Sequence, residues 1–520
     1  MASAGGKAME VVTVALGGGA NHVGSHLWNL VMAEAEVEGS SGGAGGKGRG
    51  SQDFGVLLRE RKGGERQPRV ACFDLSGTVS TSYGSRSAKE EGVAETWSSD
   101  RVHNSLPDDS GDGSSQEPLK WDEYMYWGQQ GSWRSELITC FPGTWIGVNA
   151  FDCYGDGIDL FSREDVRDTA FDKIRHLVED CDYLQGFQIL ADDLSGFGHI
   201  CSEVLLYVKD EVTDSRPLAV VGLRDAFAQN YAVQSNRSDA KRAALDCINR
   251  AWATCKISEA SDIHVVLDQC WKPAPLYDAS ALGACLVDSL TLGCRLRGAQ
   301  NVGSLRDIAM HLNPRGRRCA LTSCAFGLRR PFGGGPKLEL RSASSLCPTS
   351  CLHGQGAHSE YYVLRGVEKG GEGASGNEVV RTVEEARDWL ISRWEDGDEA
   401  AEPARKVGLC PRMFVPDPRP LPLPFNFPTE GLFPGDPPPS VSSVVQFGTS
   451  DVAGRELAGL CRDFKRTCVK PGSPSVSSML EAWELGREDC EEMAETLEML
   501  RDEVSAGAHD DYSSEGEEQD

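Results

Sequence analysis

Short apolar runs that end in a turn and lead into a helix recur along the first 330 residues, and this alternation constrains the fold more than any other feature. The runs are rich in β-branched residues and have few polar positions, as expected of strands buried on both faces. The predicted strands are 10–16, 69–75, 184–189, 218–223, 263–267 and 319–326. The predicted helices are 23–32, 165–181, 200–208, 239–254 and 304–312. This order predicts an α/β fold with a parallel sheet and helices on both faces.

The turns after three of these strands carry residue types that are common in ligand sites. Three glycines at 17–19 follow the first strand, Asp74 lies at the end of the second, and Gly196 lies in the turn after LQGFQIL. Ligands of parallel sheets collect at the carboxyl ends of the strands, so these positions are expected to converge. The stretch 38–50 contains Gly and Lys but no GK[ST] pattern, so it is not a P-loop.

The remainder of the chain differs in character. Residues 38–50 and 84–118 are rich in Gly, Ser or acidic residues and are predicted to be disordered insertions. Residues 403–439 hold 12 of the 25 prolines, which predicts extended coil packed across a surface through Phe414, Phe425, Phe427 and Phe433. Residues 480–504 read as one acidic amphipathic helix whose apolar side packs on the body, and 505–520 as a solvated tail. A further strand is predicted at 360–366.

Charge and cysteine content narrow the function classes. The 520 residues carry a net charge of −27, which argues against nucleic-acid binding through phosphate neutralisation. The 18 cysteines follow no CxxC pattern, so we predict free thiols, and Cys347, Cys351 and His353 lack the second ligand pair of a zinc site. We predict no bound metal. No secretory signal and no transmembrane segment are recognised, so a cytoplasmic location is expected.

Four segments in the same order resemble the tubulin superfamily. They are LGGGANHVGSHLW (16–28), PRVACFDLSGTV (68–79), the strand-and-turn LQGFQILADDLSGFGHI (184–200) and SLRDIAMHLNP (304–314). Within that superfamily, VEDCDYLQGFQIL with DLSGFG, the DLSGT turn at 74–78 and EYYVLRGVE at 360–368 are most similar to the Misato family. That family is tubulin-like and is associated with mitochondrial distribution and morphology, and some members with spindle or tubulin-related roles.

The resemblance implies a tubulin/FtsZ-like architecture. The expected units are a tubulin-like N-terminal domain (9–270), a second tubulin-like α+β domain (271–445), a C-terminal helical region (446–504) and the acidic tail. The residues that match nucleotide loops are Gly17, Gly18, Gly19, Asn21, Asp74, Gly196 and Gly198.

The matched loops depart from a working GTP site. Where the family has GGGTGSG, this chain has Leu194 to Ile200, with Phe197 in place of the threonine and three of the five glycines gone. Gly18 replaces a glutamine that contacts phosphate, and Ser76 replaces an acidic residue near magnesium. Phosphate cradles need backbone amides at close approach, which bulky side chains prevent. The resemblance with these changes implies a pseudo-GTPase.

Two acidic features are interpreted as structural and not as catalytic or metal-binding. Asp307 falls where one tubulin type carries its water-activating acid, but we interpret it as a solvated helix residue. Asp192 and Asp193 point to opposite faces if they lie in a strand, so they are not expected to share one ion. They are expected to be exposed turn residues or a helix N-cap.

The favoured function is a non-enzymatic, tubulin-like protein of mitochondrial distribution, morphology or fusion that acts through protein contacts. The alternatives are a filament-forming GTPase with bound GTP, and a factor for tubulin folding or for spindle and microtubule organisation. We expect no cofactor and no catalytic residue. The partners implied by the resemblance are tubulin, chaperonin or mitochondrial outer-membrane factors, with peripheral association with mitochondria.

Overall fold

The structure is a computed structural model of the chain. It describes residues 9–40, 52–61, 64–79, 120–123, 125, 134–143, 151–224, 239–267, 276–298, 301–316, 318–328, 337–342, 357–366, 368–369, 378–379, 411–417, 419–424, 440–469, 474–483 and 485–505. The insertion 84–118, most of the insertion 38–50, the tail beyond 505 and the Cys347/Cys351/His353 group lie outside the described residues.

Six parallel strands form the first half of the sheet, in the order β5-β4-β1-β6-β7-β8. They are β1 (Glu10–Leu16), β4 (Val70–Leu75), β5 (Ile138–Phe141), β6 (Leu184–Ala191), β7 (Leu218–Leu223) and β8 (Ile263–Leu267). A two-stranded ribbon, β2 (Leu58–Glu60) and β3 (Arg66–Pro68), precedes β4. The prediction of a parallel sheet is confirmed, because strands buried on both faces leave a continuous apolar signal in the sequence.

The second half of the sheet is mostly antiparallel and continues from β8 without a break. Its strands are β9 (Cys319–Leu328), β10 (Lys337–Ser342), β11 (Ala357–Arg365), β14 (Arg412–Asp417), β15 (Leu421–Pro422) and β16 (Ser440–Ser450), with a small separate ribbon of β12 (Glu368–Lys369) and β13 (Glu378–Val379). The described strands therefore join the two expected tubulin-like units through one sheet, and the boundary at 270/271 stays a prediction.

The described helices cover both faces of this sheet. They are α1 (Gly18–Ser40), α2 (Arg134–Leu137), α3 (Tyr154–Phe161), α4 (Glu164–Glu179), α5 (Gly196–Tyr207), α6 (Asp239–Ala260), α7 (Leu276–Arg295), α8 (Leu305–Leu312), α9 (Asp451–Phe464), α10 (Pro474–Ala482) and α11 (Arg487–Ser505). One apolar core lies between the sheet and α1, α7 and α8. A second lies between the opposite face and α3 to α6.

The proline-rich segment departs from its prediction. Within the described part of the chain, residues 412–417 form an edge strand that pairs with β11 in parallel, so this part is not coil. Proline has no N–H to donate to a neighbouring strand. An edge strand tolerates Pro416 because no strand on its outer side requires that donor. Phe414 is half-buried, whereas Phe425, Phe427 and Phe433 lie outside the described residues.

The C-terminal helical region also differs from its prediction. The single helix expected at 480–504 is two helices, α10 and α11, separated at Gly486. The predicted apolar side is confirmed, because Leu480, Met493, Leu497 and Leu500 are buried against α6 and α9. Glycine has a low helix propensity, so a break in the helix at Gly486 costs little free energy.

A buried cluster of charged side chains ties α1 and α7 to the second half of the sheet. Arg365 of β11 donates to Asp288 at 2.7 Å and to Glu34, and its guanidinium lies 3.7 Å from Asp417. Arg295 pairs with the other oxygen of Asp288. The side chains of Arg295, Arg365, Asp288 and Asp417 are 0% exposed. Burial raises the pKa of Glu34, while the three carboxylates keep Arg365 charged despite its own burial.

The described cysteines are free thiols, as predicted. Among the helices that the structure describes, none is both long and apolar enough to cross a membrane.

Candidate functional site

The carboxyl ends of β1, β4 and β6 meet at one edge of the sheet. Leu16 is in register with Phe73 of β4 and with Ala191 of β6. The amide of Gly17 donates to the carbonyl of Phe73 at 3.0 Å, and the amide of Asp192 donates to the carbonyl of Leu16 at 3.0 Å. The three loops that resemble nucleotide loops are therefore neighbours in space.

The first loop binds a carboxylate of the chain itself. The helix α1 begins at Gly18, and the amides of Gly19 and Ala20 donate to Oδ2 and Oδ1 of Asp192, each at 2.8 Å. Asp192 is 2% exposed. Gly17 has a φ of +103°, and a Cβ there would lie 2.5 Å from Oδ2 of Asp192, so no other residue fits. The amino end of α1, where an anion is favoured by the helix dipole, thus already holds one.

The prediction that Asp192 and Asp193 are exposed turn residues is wrong. Asp193 is 0% exposed. Its Oδ2 accepts hydrogen bonds from Nε and Nη2 of Arg224, at 2.8 and 2.6 Å. The two carboxylates serve different partners, as expected of neighbours that point to opposite faces. Asp192 caps α1, which is distant in sequence, rather than the helix that follows it. Buried carboxylates require hydrogen-bond donors. The donors here are distant in sequence, so the residues around Asp192 and Asp193 do not predict this burial.

The partners of Asp193 form a second buried polar group that the sequence did not single out. His264 of β8 lies 3.8 Å from Asp193, and its Nδ1 is 3.1 Å from the hydroxyl of Ser258. Burial, and then the charge of Arg224, lowers the pKa of His264 to about 3. Asp193, His264 and Ser258 lie in the order of a hydrolase triad, but Ser258 is 0% exposed, so no substrate reaches its hydroxyl. This group holds β6, β7 and β8 together.

The second loop is likewise occupied by protein groups. Oδ2 of Asp74 accepts from the indole Nε1 of Trp121 at 2.7 Å, and Oδ1 accepts from the amide of Leu75 at 2.8 Å. Burial raises the pKa of Asp74 to about 6, although these hydrogen bonds oppose the shift. Asn21 donates its side-chain amide to the carbonyl of Phe73 at 2.9 Å. Asp74 and Asn21, both predicted site residues, therefore lie at the site and are hydrogen-bonded to other groups of the chain.

The fourth loop is filled by its own side chains. Ser195 caps α5 by accepting the amide of Phe197 at 3.2 Å. Phe197 is 0% exposed, and its ring centroid lies 5.1 Å from that of Phe151 and 6.4 Å from that of Phe141. A Cβ on Gly196 would lie 2.4 Å from the ring of Phe151, so this glycine is needed for packing.

Gly198 lies two residues further along, where a Cβ would be 2.4 Å from the carbonyl oxygen of Asp193. The two remaining glycines of the loop therefore admit protein atoms at close approach. Packing within the protein is sufficient to account for both glycines.

Asp307 lies at the opposite edge of the sheet. Its Oδ2 accepts from the amide and the hydroxyl of Ser304, at 2.6 and 2.7 Å, which caps α8 and lowers the pKa of the carboxyl. The adjacent amide of Leu305 donates to Gln185, at the start of β6, whereas Asp192 follows the end of that strand. A strand of this length separates Asp307 from the loops by on the order of 20 Å. Asp307 is an exposed helix residue, as predicted.

Comparisons with known proteins agree with this architecture. A family model described as a tubulin domain matches residues 146–296, a stretch that includes the fourth loop. The chain is 23% identical over 390 residues to Protein misato of Drosophila melanogaster, a match that covers 62% of this chain and 65% of that protein.

Two further relatives have the same character. Protein misato homolog 1 of Danio rerio is 24% identical over 56% of this chain and 60% of its own length. Protein dml1 of Schizosaccharomyces pombe is 25% identical over 42% of this chain and 46% of its own length. The matches thus span less than two thirds of each relative. The chain thus carries a stretch that matches a tubulin domain, and it is similar over much of its length to the Misato and dml1 proteins.

Proposed function

We propose that this protein is a non-enzymatic member of the tubulin fold that acts in mitochondrial distribution, morphology or fusion through protein contacts. Its similarity to the Misato proteins supports the mitochondrial role. We further propose that it lies in the cytoplasm, associates peripherally with mitochondria, and has as partners tubulin, chaperonin or proteins of the mitochondrial outer membrane. The non-enzymatic part rests on the loops at the carboxyl edge of the sheet.

The observation that carries this part is the burial of the whole fourth loop. Residues 191–200 are buried, apart from the half-buried His199. A loop that binds phosphate must leave its amides open to the ligand, because those N–H groups are the binding groups. Here Ser195 and Phe197 occupy the turn, and Asp192 takes two amides of the first loop. Catalysis of GTP hydrolysis depends mostly on positioning the phosphates and stabilising their charge. Both require backbone amides that are open to the phosphates.

The purified full chain is expected not to bind GTP. With labelled GTP and magnesium, equilibrium binding should give a Kd weaker than about 1 mM, which corresponds to less than about 4 kcal/mol of binding free energy. Tubulin measured in the same buffer is the control for active nucleotide and for the detection limit. Saturable, magnesium-dependent binding in the micromolar range with release of phosphate contradicts the proposal and favours the filament-forming GTPase.

In cells that lack the protein, an altered mitochondrial network should be restored by the wild type and equally by Asp307→Asn. The asparagine keeps an acceptor for the cap of α8 but removes the carboxylate that hydrolysis would need. The measurement is mitochondrial morphology by fluorescence imaging at matched protein levels. Loss of rescue by Asp307→Asn at a normal level points to an enzymatic role. A normal network in cells without the protein, accompanied by a spindle or tubulin defect, favours the tubulin-folding or microtubule alternative.

A further inference from the structure

A cavity of about 240 Å³ lies between the helices α6 and α9 and the strands β8 and β9. None of its lining residues belongs to the three loops that resemble nucleotide loops, so it is a separate feature of the fold. Gly459 of α9 lies in its wall, and a Cβ on that residue would have no atom of another residue nearer than 3.9 Å. The space beside Gly459 is therefore open.

The floor of this cavity contains a buried cation with an unused donor. Arg224 is 4% exposed and binds Asp193 through Nε and Nη2, while Nη2 also donates to the hydroxyl of Thr254 at 3.2 Å. Its third nitrogen, Nη1, has no hydrogen-bond partner among the described residues. The Thr254 hydroxyl accepts from Arg224, so its own hydrogen can still donate. Because buried donors without a partner cost free energy, both groups are suited to an acceptor that enters the cavity.

The wall that α9 contributes carries the opposite charge. Glu456 and Asp463 are seven residues apart, which places them on one face of the helix and roughly 10 Å apart along its axis. Asp463 pairs with the exposed Arg466, whereas Glu456 has no ion-pair partner among the described residues. Leu460 lies between the two carboxylates, and Val266 of β8 adds a second apolar surface. The cavity thus has donors on one side, carboxylates on the other, and apolar groups between them.

We propose that this cavity binds a free α-amino acid with an apolar side chain. The carboxylate of the ligand accepts from Nη1 of Arg224 and from the hydroxyl of Thr254. Its ammonium group faces Glu456, and its side chain packs against Leu460 and Val266. The volume is below the range of about 300–1,000 Å³ that is typical of pockets for drug-sized molecules, which suits a ligand of this size. The proposed function involves no small ligand, so this inference goes beyond it and does not depend on it.

The direct test is calorimetric titration of the purified full chain with three molecules that share one carbon skeleton. Leucine carries both charges, 3-methylbutylamine lacks the carboxylate, and 4-methylpentanoate lacks the ammonium group. Leucine should bind with a Kd below about 1 mM, and the other two should bind at least about tenfold more weakly, because each loses one set of charge-assisted contacts. If the amine or the acid binds as tightly as leucine, the cavity recognises a single charge and the proposal is wrong.

Gly459→Leu blocks the cavity and leaves all of its polar groups in place. Leucine has a higher helix propensity than glycine, and the open space receives the new side chain, so the variant should fold with a Tm no lower than that of the wild type. Its affinity for free leucine should fall at least about tenfold, because the ligand and the new side chain compete for one space. Gly459→Ala is the matched control, since it gains helix propensity but adds only a methyl group, and it should keep the wild-type affinity.

A charge variant tests the orientation of the ligand. Glu456→Gln keeps the shape of an exposed side chain, so it should leave the Tm unchanged, but it should weaken leucine binding about tenfold and leave 4-methylpentanoate unaffected. Glu495→Gln removes an exposed charge from α11, outside the cavity, and should change neither ligand.

Two results overturn the inference. They are the absence of saturable leucine binding by the wild type, and leucine binding that survives Gly459→Leu. Either result leaves the expectation that the chain does not bind GTP unchanged, since the cavity shares no residue with the three loops. Binding of GTP by the wild type would remove the proposed function and would leave the amino-acid site standing.

Discussion

Replacement of Arg365 by methionine is expected to lower the free energy of unfolding by about 3–5 kcal/mol, because it leaves buried carboxylates without their counter-charge. Arg365 contacts Glu34, Asp288 and Asp417. Among the described residues, the buried Arg295 and the partly exposed Arg419 would remain to balance these charges. The three carboxylates are removed from water, so the lost pairing is not replaced by solvent. Denaturant unfolding of the purified full chain, followed by circular dichroism, measures the effect.

The matched control is Arg419→Met, on the rim of the same cluster. Arg419 pairs with Asp417 and Glu38, but its side chain is 34% exposed, so a loss of only about 0–1 kcal/mol is expected. A second substitution, Glu34→Gln, should recover part of the stability of Arg365→Met, since it removes one of the unbalanced charges. A loss below about 1 kcal/mol for Arg365→Met would falsify the view that this cluster secures α1 to the second half of the sheet.

The pH dependence of the same variant gives an independent check. Burial already raises the pKa of Glu34, and loss of Arg365 removes the charge that most strongly opposes this rise. A carboxyl whose pKa is higher in the folded state than in the unfolded state destabilises the fold increasingly as pH rises through that interval. The deficit of Arg365→Met against the wild type should therefore be larger at pH 8 than at pH 5. The reverse order contradicts this assignment of charges.

The central parallel strands β1, β4, β6, β7 and β8 were predicted from the sequence and the buried helix α7 was not, for a common physical reason. Parallel strands covered on both faces are short, apolar and β-branched, so β1, β4 and β6 stand out from their flanks. The helix α7 is also buried, over nearly its whole length, and lacks the polar face that gives a helix its 3.6-residue pattern. The helix α1 was predicted too short, because its glycines at 18 and 19 read as a turn. The packing of α1 against α7 overrides their low helix propensity.

The candidate site was also predictable from the sequence only in part. The convergence of Gly17, Asp74 and Gly196 at one edge follows from the order of the strands, which the sequence pattern contains. What binds at that edge does not follow from it. The contact of Asp192 with the first turn of α1 joins segments more than 170 residues apart, and the ion pair of Asp193 with Arg224 depends on the neighbouring strand β7. Two adjacent aspartates before a turn are typical of an exposed surface, and only tertiary donors make their burial favourable.

The last prediction concerns the aromatic ring that fills the fourth loop. Substitution of Phe197 by alanine should cost about 3–5 kcal/mol of unfolding free energy, because the ring is fully buried and its removal leaves a cavity. Its edge-to-face contact with Phe151 and its contact with Phe141 are lost as well. Equilibrium unfolding in denaturant measures the loss. Phe171→Ala is the matched control, since that ring stacks on Tyr207 but is only half-buried, and it should cost less.

A second substitution at position 197 tests the proposal that these loops bind no nucleotide. If Phe197 alone excluded GTP, then Phe197→Thr, which restores the residue type of the resembling loop, would gain magnesium-dependent GTP binding. We expect no gain, because Asp192 still occupies the amides of Gly19 and Ala20 and Asp74 is still bound to Trp121. The loops are closed by several independent contacts, and one substitution reopens only one of them. Micromolar GTP binding by Phe197→Thr would instead make the ring the sole barrier and would remove Asp192 from that role.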